Sequence, residues 1–99
     1  MAGPHVPVRV RQSARELGQH VTTWRKLQNL TAAQLSERAG ISRPTLRKLE
    51  NGDSSVGLDT FLVVLRALGQ LDRLVDSIDP YETDLGRARS EQQLPERVR

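Results

Sequence analysis

The chain has 99 residues, no cysteine, and 15 Lys and Arg against 12 Asp and Glu, a net charge of +3. That length suits one domain with a small core and a tail, and the missing cysteines exclude a disulfide framework or a thiolate metal site. No apolar run approaches a membrane span and the N-terminus has no apolar signal core, so the default expectation is a soluble cytoplasmic protein.

The first residues, Met1 to Pro7, contain Pro and Gly and read as loose. Val6, Val8 and Val10 then alternate with Pro7, Arg9 and Arg11, a period of two. This pattern fits a short edge strand, because Pro7 excludes a central one. Such a strand needs a mate, and the same strand of a second subunit would serve, which makes Val6, Val8 and Val10 candidate dimer contacts. A disordered basic arm fits the same residues, and both alternatives stay open.

A first helix is expected over Ser13 to Gln28, with Ser13 as N-cap and Glu16 completing a capping box. Leu17, Val21, Trp24 and Leu27 repeat at helical spacing and point to the core. Asn29 tolerates the left-handed conformation that ends such a helix. The next helix starts after Thr31, an N-cap with Gln34 three residues on, and carries Leu35 and Ala39 on one face before Gly40 stops it. Ser42 caps a third helix with Pro44 in its first turn, where the missing N–H removes no intrahelical bond. Leu46 and Leu49 give it an apolar face, and Asn51-Gly52 terminates it. Two helices joined by so short a turn cross steeply, as in a helix-turn-helix.

A fourth helix is expected over Leu58 to Leu68, with Phe61, Leu62, Leu65 and Leu68 inward and Gly69 as the stop. Val63 and Val64 are extra apolar positions, at least one of them a candidate dimer contact. A fifth helix is expected over Leu71 to Ile78, ended by Asp79-Pro80. Beyond residue 79, Tyr81, Leu85, Leu94 and Val98 are the only large apolar residues in a mixed-charge run, too sparse for a core of their own. A marginal helix fits Leu85 to Gln92. The implied organisation is an arm over 1–12, a helical domain over 13–78 and a charged tail over 79–99.

Charge is divided unevenly along the chain. Residues 1–49 hold nine Arg and Lys against Glu16 and Glu37, a balance of +7, while residues 50–99 hold six Arg against ten acids, a balance of −4. The outer positions of the third helix are Arg43, Thr45, Arg47 and Lys48, with no acid until Glu50. A solvated structural helix more often mixes both signs, so this surface suits the major groove of DNA. A helical hairpin inside a bundle explains Leu35, Ala39, Ile41, Leu46 and Leu49 equally well, but not those four residues.

These motifs carry a family resemblance. Leu30-Thr31, Leu35, Ala39-Gly40-Ile41-Ser42, Leu46, Leu49-Glu50-Asn51-Gly52, Leu65 and Ala67-Leu68-Gly69 together resemble the Cro/C1-type (XRE) helix-turn-helix family of phage and bacterial repressors. The resemblance covers residues 13–78 and implies an all-α, five-helix, lambda-repressor-like domain. The Val8-Arg9-Val10-Arg11 opening before Leu17-Gly18 further resembles HipB-type antitoxins. So do Asp84-Leu85-Gly86-Arg87-Ala88 and Leu94-Pro95-Glu96-Arg97-Val98-Arg99. Such proteins are homodimers that bind operator DNA and a HipA-type Ser/Thr kinase toxin.

The resemblance implies site roles. Arg43, Pro44, Thr45, Arg47 and Lys48 fall on base-reading positions of the recognition helix. Thr31, Ala32, Ser42 and Asn51 fall on phosphate positions. Arg25 and Glu50 fall on a pair that ties the first helix to the end of the third. Tyr81, Leu85, Leu94 and Val98 are the candidate toxin-binding residues of the tail. The family usually has Gln at the start of the second helix, contacting a phosphate and bracing the recognition helix, where this chain has Ala32. Ser36 also replaces a usual Ala.

Chemistry beyond binding finds no support in the sequence. There is no nucleotide-binding glycine pattern, His5 and His20 are too few and too far apart for a metal site, and Ser13 with His20 forms no triad. No catalytic residue, metal or cofactor is expected. The implied partners are an operator duplex, a second copy of the chain and a kinase toxin. Two other readings use the same residues: a stand-alone regulator with no toxin, and a protein-interaction module acting mainly on a kinase.

Overall fold

The computed structural model describes residues 5–93, with side chains described to Ser90. Leu94 and Val98 therefore lie outside the described residues. The described residues are all helical, with no strand. The helices are α1 (Val8–Leu27), α2 (Ala32–Ala39), α3 (Arg43–Glu50), α4 (Leu58–Ala67), α5 (Leu71–Ser77) and α6 (Asp84–Gln93), with a 3-10 turn over Pro80–Glu82. The chain divides into two compact units between Gly69 and Gln70.

The expected N-terminal strand is replaced by helix. Val8 and Val10 belong to α1, and Val6 precedes it, so the three valines do not form a strand for a second subunit to pair with. Pro7 stands at the N-cap with an extended backbone, and its carbonyl accepts the N–H groups of Val10 and Arg11 at 3.1 and 3.2 Å. Proline needs no donor at a helix start. The residues that follow, including Arg11, Gln12, Ala14 and Glu16, are good helix formers, and they outweigh a two-residue alternation only three valines long.

Ser13 is consequently not a cap. Its hydroxyl donates to the Arg9 carbonyl one turn back at 3.0 Å, and Glu16 lies 3.8 Å from Arg9 rather than closing a capping box. The two residues before the second and third helices do act as caps. Thr31 Oγ1 accepts the Gln34 N–H at 3.0 Å while Gln34 Oε1 accepts the Thr31 N–H at 2.9 Å. Ser42 Oγ accepts the Thr45 N–H at 3.2 Å. Ser42→Ala is expected to cost about 1 kcal/mol, the usual effect of removing an N-cap oxygen. Chemical denaturation of the two proteins checks it, and equal midpoints would show that the cap carries no stability.

The first unit packs α1 on α3, α3 on α2 and α2 on α4. Its core is aliphatic: Val21, Leu30, Leu35, Leu46, Leu49, Val64, Leu65 and Leu68 are buried. Val64 is fully enclosed, which removes it as a dimer contact; Val63 is half-buried. The expected α1 stripe is rotated. Val21 is buried, but Leu17 and Leu27 are exposed. The inward face instead runs through Gly18 and Val21 to the covered Arg25. The cause is Gly18: a Cβ there would lie 2.5 Å from the Glu50 carbonyl oxygen and 2.6 Å from that of Leu49. Only a bare backbone lets α1 approach the end of α3 this closely.

Three successive helix ends use one device. Asn29, Gly40 and Gly52 all have positive φ, and the N–H of the following residue reaches back five residues each time. Leu30 donates to the Arg25 carbonyl at 3.0 Å, Ile41 to Ser36 at 3.0 Å and Asp53 to Lys48 at 2.9 Å. This satisfies carbonyls that a helix end would leave open and fixes the exit direction of the chain. At Gly40 the φ of 74° sets the crossing of α2 and α3. Farther along, Asp53 Oδ1 accepts the Ser55 N–H at 2.8 Å, and that bond holds the Asp53 carboxyl below its ordinary range.

The second unit contains α5, the 3-10 turn and α6. Asp79 caps the turn, accepting the Tyr81 N–H at 2.9 Å, and Thr83 Oγ1 accepts the Gly86 N–H at the start of α6 at 3.0 Å. Val75, Ile78, Tyr81 and Leu85 are all exposed.

Candidate nucleic-acid interface

The third helix is eight residues long, and its two ends are prepared differently. Ser42 caps the start, and Asn51 and Gly52 close the end. Leu46 and Leu49 are buried against the rest of the unit, so the opposite surface is left to Arg43, Pro44, Arg47 and Lys48, all exposed. Arg43 and Arg47 are one turn apart on one face. Like charges at that spacing oppose helix formation by about 0.2–0.5 kcal/mol, so the arrangement serves something other than helix stability. Thr45 is half-buried, and its hydroxyl is shared with Ser42 Oγ at 2.8 Å.

Glu50 is the single acid on α3, and it does not join this face. Its carboxylate takes Arg25 Nε at 2.8 Å and a second guanidinium N–H at 3.1 Å. Both side chains are largely covered, 14% and 13% exposed. Arg25 also donates to the Leu30 carbonyl at 3.2 Å, so one guanidinium joins α1, the end of α3 and the segment entering α2. The hydrogen-bonded Glu50 carboxylate raises the Arg25 pKa above its ordinary value, against the opposing effect of burial. The result is an outer surface on α3 whose charges are all positive.

A cleft of about 220 Å³ opens beside this surface, lined by Ala32, Arg43, Leu46, Arg47, Asn51 and the Arg25–Glu50 pair. It gathers the start of α2, the outer face of α3 and the loop after it. A long side chain at position 32 would fill part of it, and Ala32 leaves it open. Ser36 is accommodated in the core because its hydroxyl donates to the Ala33 carbonyl at 3.0 Å.

Asn51 lines this cleft at the end of α3, and Thr31 and Ser42 are exposed at the N-termini of α2 and α3. The first turns of α2 and α3 hold no acid, so their positive poles, with the N–H groups of Ala32, Ala33 and Arg43 that the caps do not take, face no carboxylate of their own helix. A helix-turn-helix family model matches residues 21–74, more than half of the chain.

The chain belongs to the Cro/C1-type (XRE) helix-turn-helix family.

As a member of that family it is a DNA-binding transcription regulator. No curated protein and no solved structure matches the chain. The helix-turn-helix itself is α2, Gly40 to Ser42 and α3. Two supports of this domain have no local sequence signature. The first is the Gly18 contact, and the second is a hydrogen bond from Gln28 Nε2 to the Leu68 carbonyl at 2.8 Å that ties the end of α1 to the end of α4. Both join residues far apart in the chain, and only an alignment of many relatives would have marked them. Tyr81 and Leu85 lie in the second unit, apart from the α3 surface in sequence. Among the described residues no group of three or more His, Cys, Asp or Glu is placed to hold a metal ion, and no helix is long and apolar enough to cross a membrane.

Proposed function

We propose that the chain is a cytoplasmic, homodimeric repressor that reads its own operator with α3 and neutralises a HipA-type kinase toxin. The observation that carries the DNA reading is the removal of Glu50 from the outer face by Arg25, which leaves Arg43, Arg47 and Lys48 unopposed there. Residues 13–78 act as the DNA-binding domain. Arg43 and Arg47 are the base readers, since a guanidinium can grip guanine through O6 and N7. Pro44 and the methyl group of Thr45 meet the base edges as apolar surfaces; the Thr45 hydroxyl is already engaged by Ser42. Lys48 extends the same face. Thr31, Ser42 and Asn51, with the backbone N–H groups near Ala32, hold phosphates on either side. Two such helices about 34 Å apart would read a palindrome.

The toxin reading is supported by the second unit. Exposed Val75, Ile78, Tyr81 and Leu85 stand among Asp72, Asp76, Asp79, Glu82 and Asp84, a combination suited to a basic, partly apolar protein surface. Tyr81 and Leu85, with Leu94 and Val98, are the proposed toxin contacts.

Arg43→Ala and Arg47→Ala are each expected to weaken operator binding by about 1–3 kcal/mol and to relax base preference at one position. Titration of a selected duplex and its point variants measures this. Full affinity in both variants would remove α3 as the reading surface. Truncation after Asp79 should abolish capture of a HipA-type kinase while leaving DNA binding in place, and undiminished capture would exclude the tail as its docking site.

A further inference from the structure

We propose that the first two turns of α1 grip a DNA phosphodiester backbone beside the one held at Asn51, with Arg11 and Arg15 as the principal contacts and Arg9 as a third. The proposal rests on the DNA-binding reading and adds to it a sequence-blind clamp outside the helix-turn-helix.

Three observations converge on it. Arg9, Arg11 and Arg15 are exposed on a stretch with no acid before Glu16. Arg9 lies 3.8 Å from that carboxylate, but among the described residues Arg11 and Arg15 form no ion pair and no side-chain hydrogen bond.

Arg9 and Arg11 also sit where helix electrostatics disfavour them. A helix start is a positive pole, and acids or a capping oxygen normally occupy it. The start of α1 has no side-chain cap and no acid in its first turn. The contrast runs through the whole chain. The first turns of α1, α2 and α3 carry no acid, whereas those of α4, α5 and α6 carry Asp59, Asp72 and Asp84. In lacking an acid the start of α1 matches the two helices of the reading motif, although Thr31 and Ser42 cap those and no side chain caps α1. A merely solvated helix start would gain from an acid here, and this one has Arg9 and Arg11 instead.

The third observation is continuity. A Cβ on Gly52 would lie 2.6 Å from the Arg15 Cα and 2.9 Å from the Ala14 carbonyl carbon, so α1 touches the turn that follows Asn51 at Arg15 itself. Arg11 lies one helical turn farther along α1, on nearly the same face. The arginines thus extend the phosphate-binding edge of the motif. Guanidinium groups on an exposed helix suit phosphates, which carry charge without sequence information.

The test uses the full chain and a duplex selected by the wild-type protein from a random pool. Binding is measured from about 50 to 300 mM KCl, where each phosphate contact adds about 0.9 to the slope of log K against log salt. The double variant Arg11→Gln/Arg15→Gln should lower that slope by about 2. Its affinity for the selected duplex and for a shuffled one should fall by the same factor. Neutralising Arg11 at the helix start and Arg15, which holds no ion pair among the described residues, should leave thermal stability equal or higher, so lost binding is not lost fold. Arg73→Gln/Arg89→Gln removes equal charge from the second unit and should leave the slope unchanged. An unchanged slope in the Arg11/Arg15 variant, an equal fall in the control, or an altered preference for the selected duplex each overturns the clamp. A wild-type chain that selects no duplex overturns the DNA-binding reading itself.

Discussion

Gly18→Ala should lower the stability of the helix-turn-helix unit by about 3 kcal/mol, the upper end of the usual cost of overpacking. The direction is diagnostic, because alanine in place of glycine inside a helix ordinarily stabilises by about 1 kcal/mol. Here the added carbon would stand 2.5 Å from the Glu50 carbonyl oxygen and 2.8 Å from its carbonyl carbon. Those atoms belong to backbone, so no rotamer change relieves the clash. Either α1 lifts away from α3 or the end of α3 unwinds, and both disturb Leu49 and the Arg25–Glu50 pair nearby. In a domain of this size each kcal/mol moves Tm by about 4–8 °C, giving a fall of roughly 12–24 °C. A scanning calorimetry trace with unchanged or raised Tm would show that the α1–α3 approach tolerates a side chain.

Arg25→Ala is expected to cost about 2–3 kcal/mol, between the small effect of exposed pairs and the 3–5 kcal/mol for fully buried ones. The loss has two parts. Glu50 would keep a largely covered carboxylate with two hydrogen bonds gone, and the Leu30 carbonyl would lose a donor. Glu50→Gln retains the shape and one acceptor, so its cost should be smaller. A double-mutant cycle with Arg25→Ala and Glu50→Ala should show a coupling of at least about 1 kcal/mol, and additivity would refute the pair as a joint support. The pH dependence has a defined sign. A raised Arg25 pKa contributes stability that is fully present below the ordinary arginine value and is lost only as pH rises through the folded one. Across the neutral range the contribution is constant, so the wild-type advantage over Arg25→Ala should not vary there.

The same pair links stability to reading. Without Arg25, Glu50 either stays covered at that cost or turns toward the outer face of α3, where its charge would oppose the phosphates that Arg43, Arg47 and Lys48 are proposed to meet. Operator affinity in Glu50→Gln should therefore survive better than in Arg25→Ala, even after both are compared at temperatures where each is folded.

The helix-turn-helix was legible because its signals are local. Thr31 with Gln34, Gly40, Ser42 with Pro44, and Asn51-Gly52 each state a cap or a stop within a few residues. The cations of α3 were legible for the same reason, since burial of Leu46 and Leu49 fixes which positions remain outside. The start of α1 is not legible: three alternating valines across Pro7 fit a strand or a loose arm, and the helix formers after them outweigh so short a period. The inward face of α1 is legible only at Val21, because its other buried member is a glycine. Leu17 and Leu27 advertise burial and are exposed, whereas Gly18 has no side chain to mark the deepest contact in the helix. The end of α1 and Gln28 show the same limit: the partner of Gln28 is a carbonyl 40 residues away.

The three left-handed helix ends at Asn29, Gly40 and Gly52 bear on binding thermodynamics. Each junction closes on its own backbone bonds, so α2 and α3 are held in their crossing before any DNA arrives. A reading head assembled in advance loses little conformational freedom on docking, and its contacts are not offset by the entropy of ordering a loop. Affinity in such a protein is set chiefly by the side chains presented, which makes the proposed base readers of α3 the natural points at which selection could retune the target without rebuilding the scaffold, while the proposed α1 contacts would set only overall affinity.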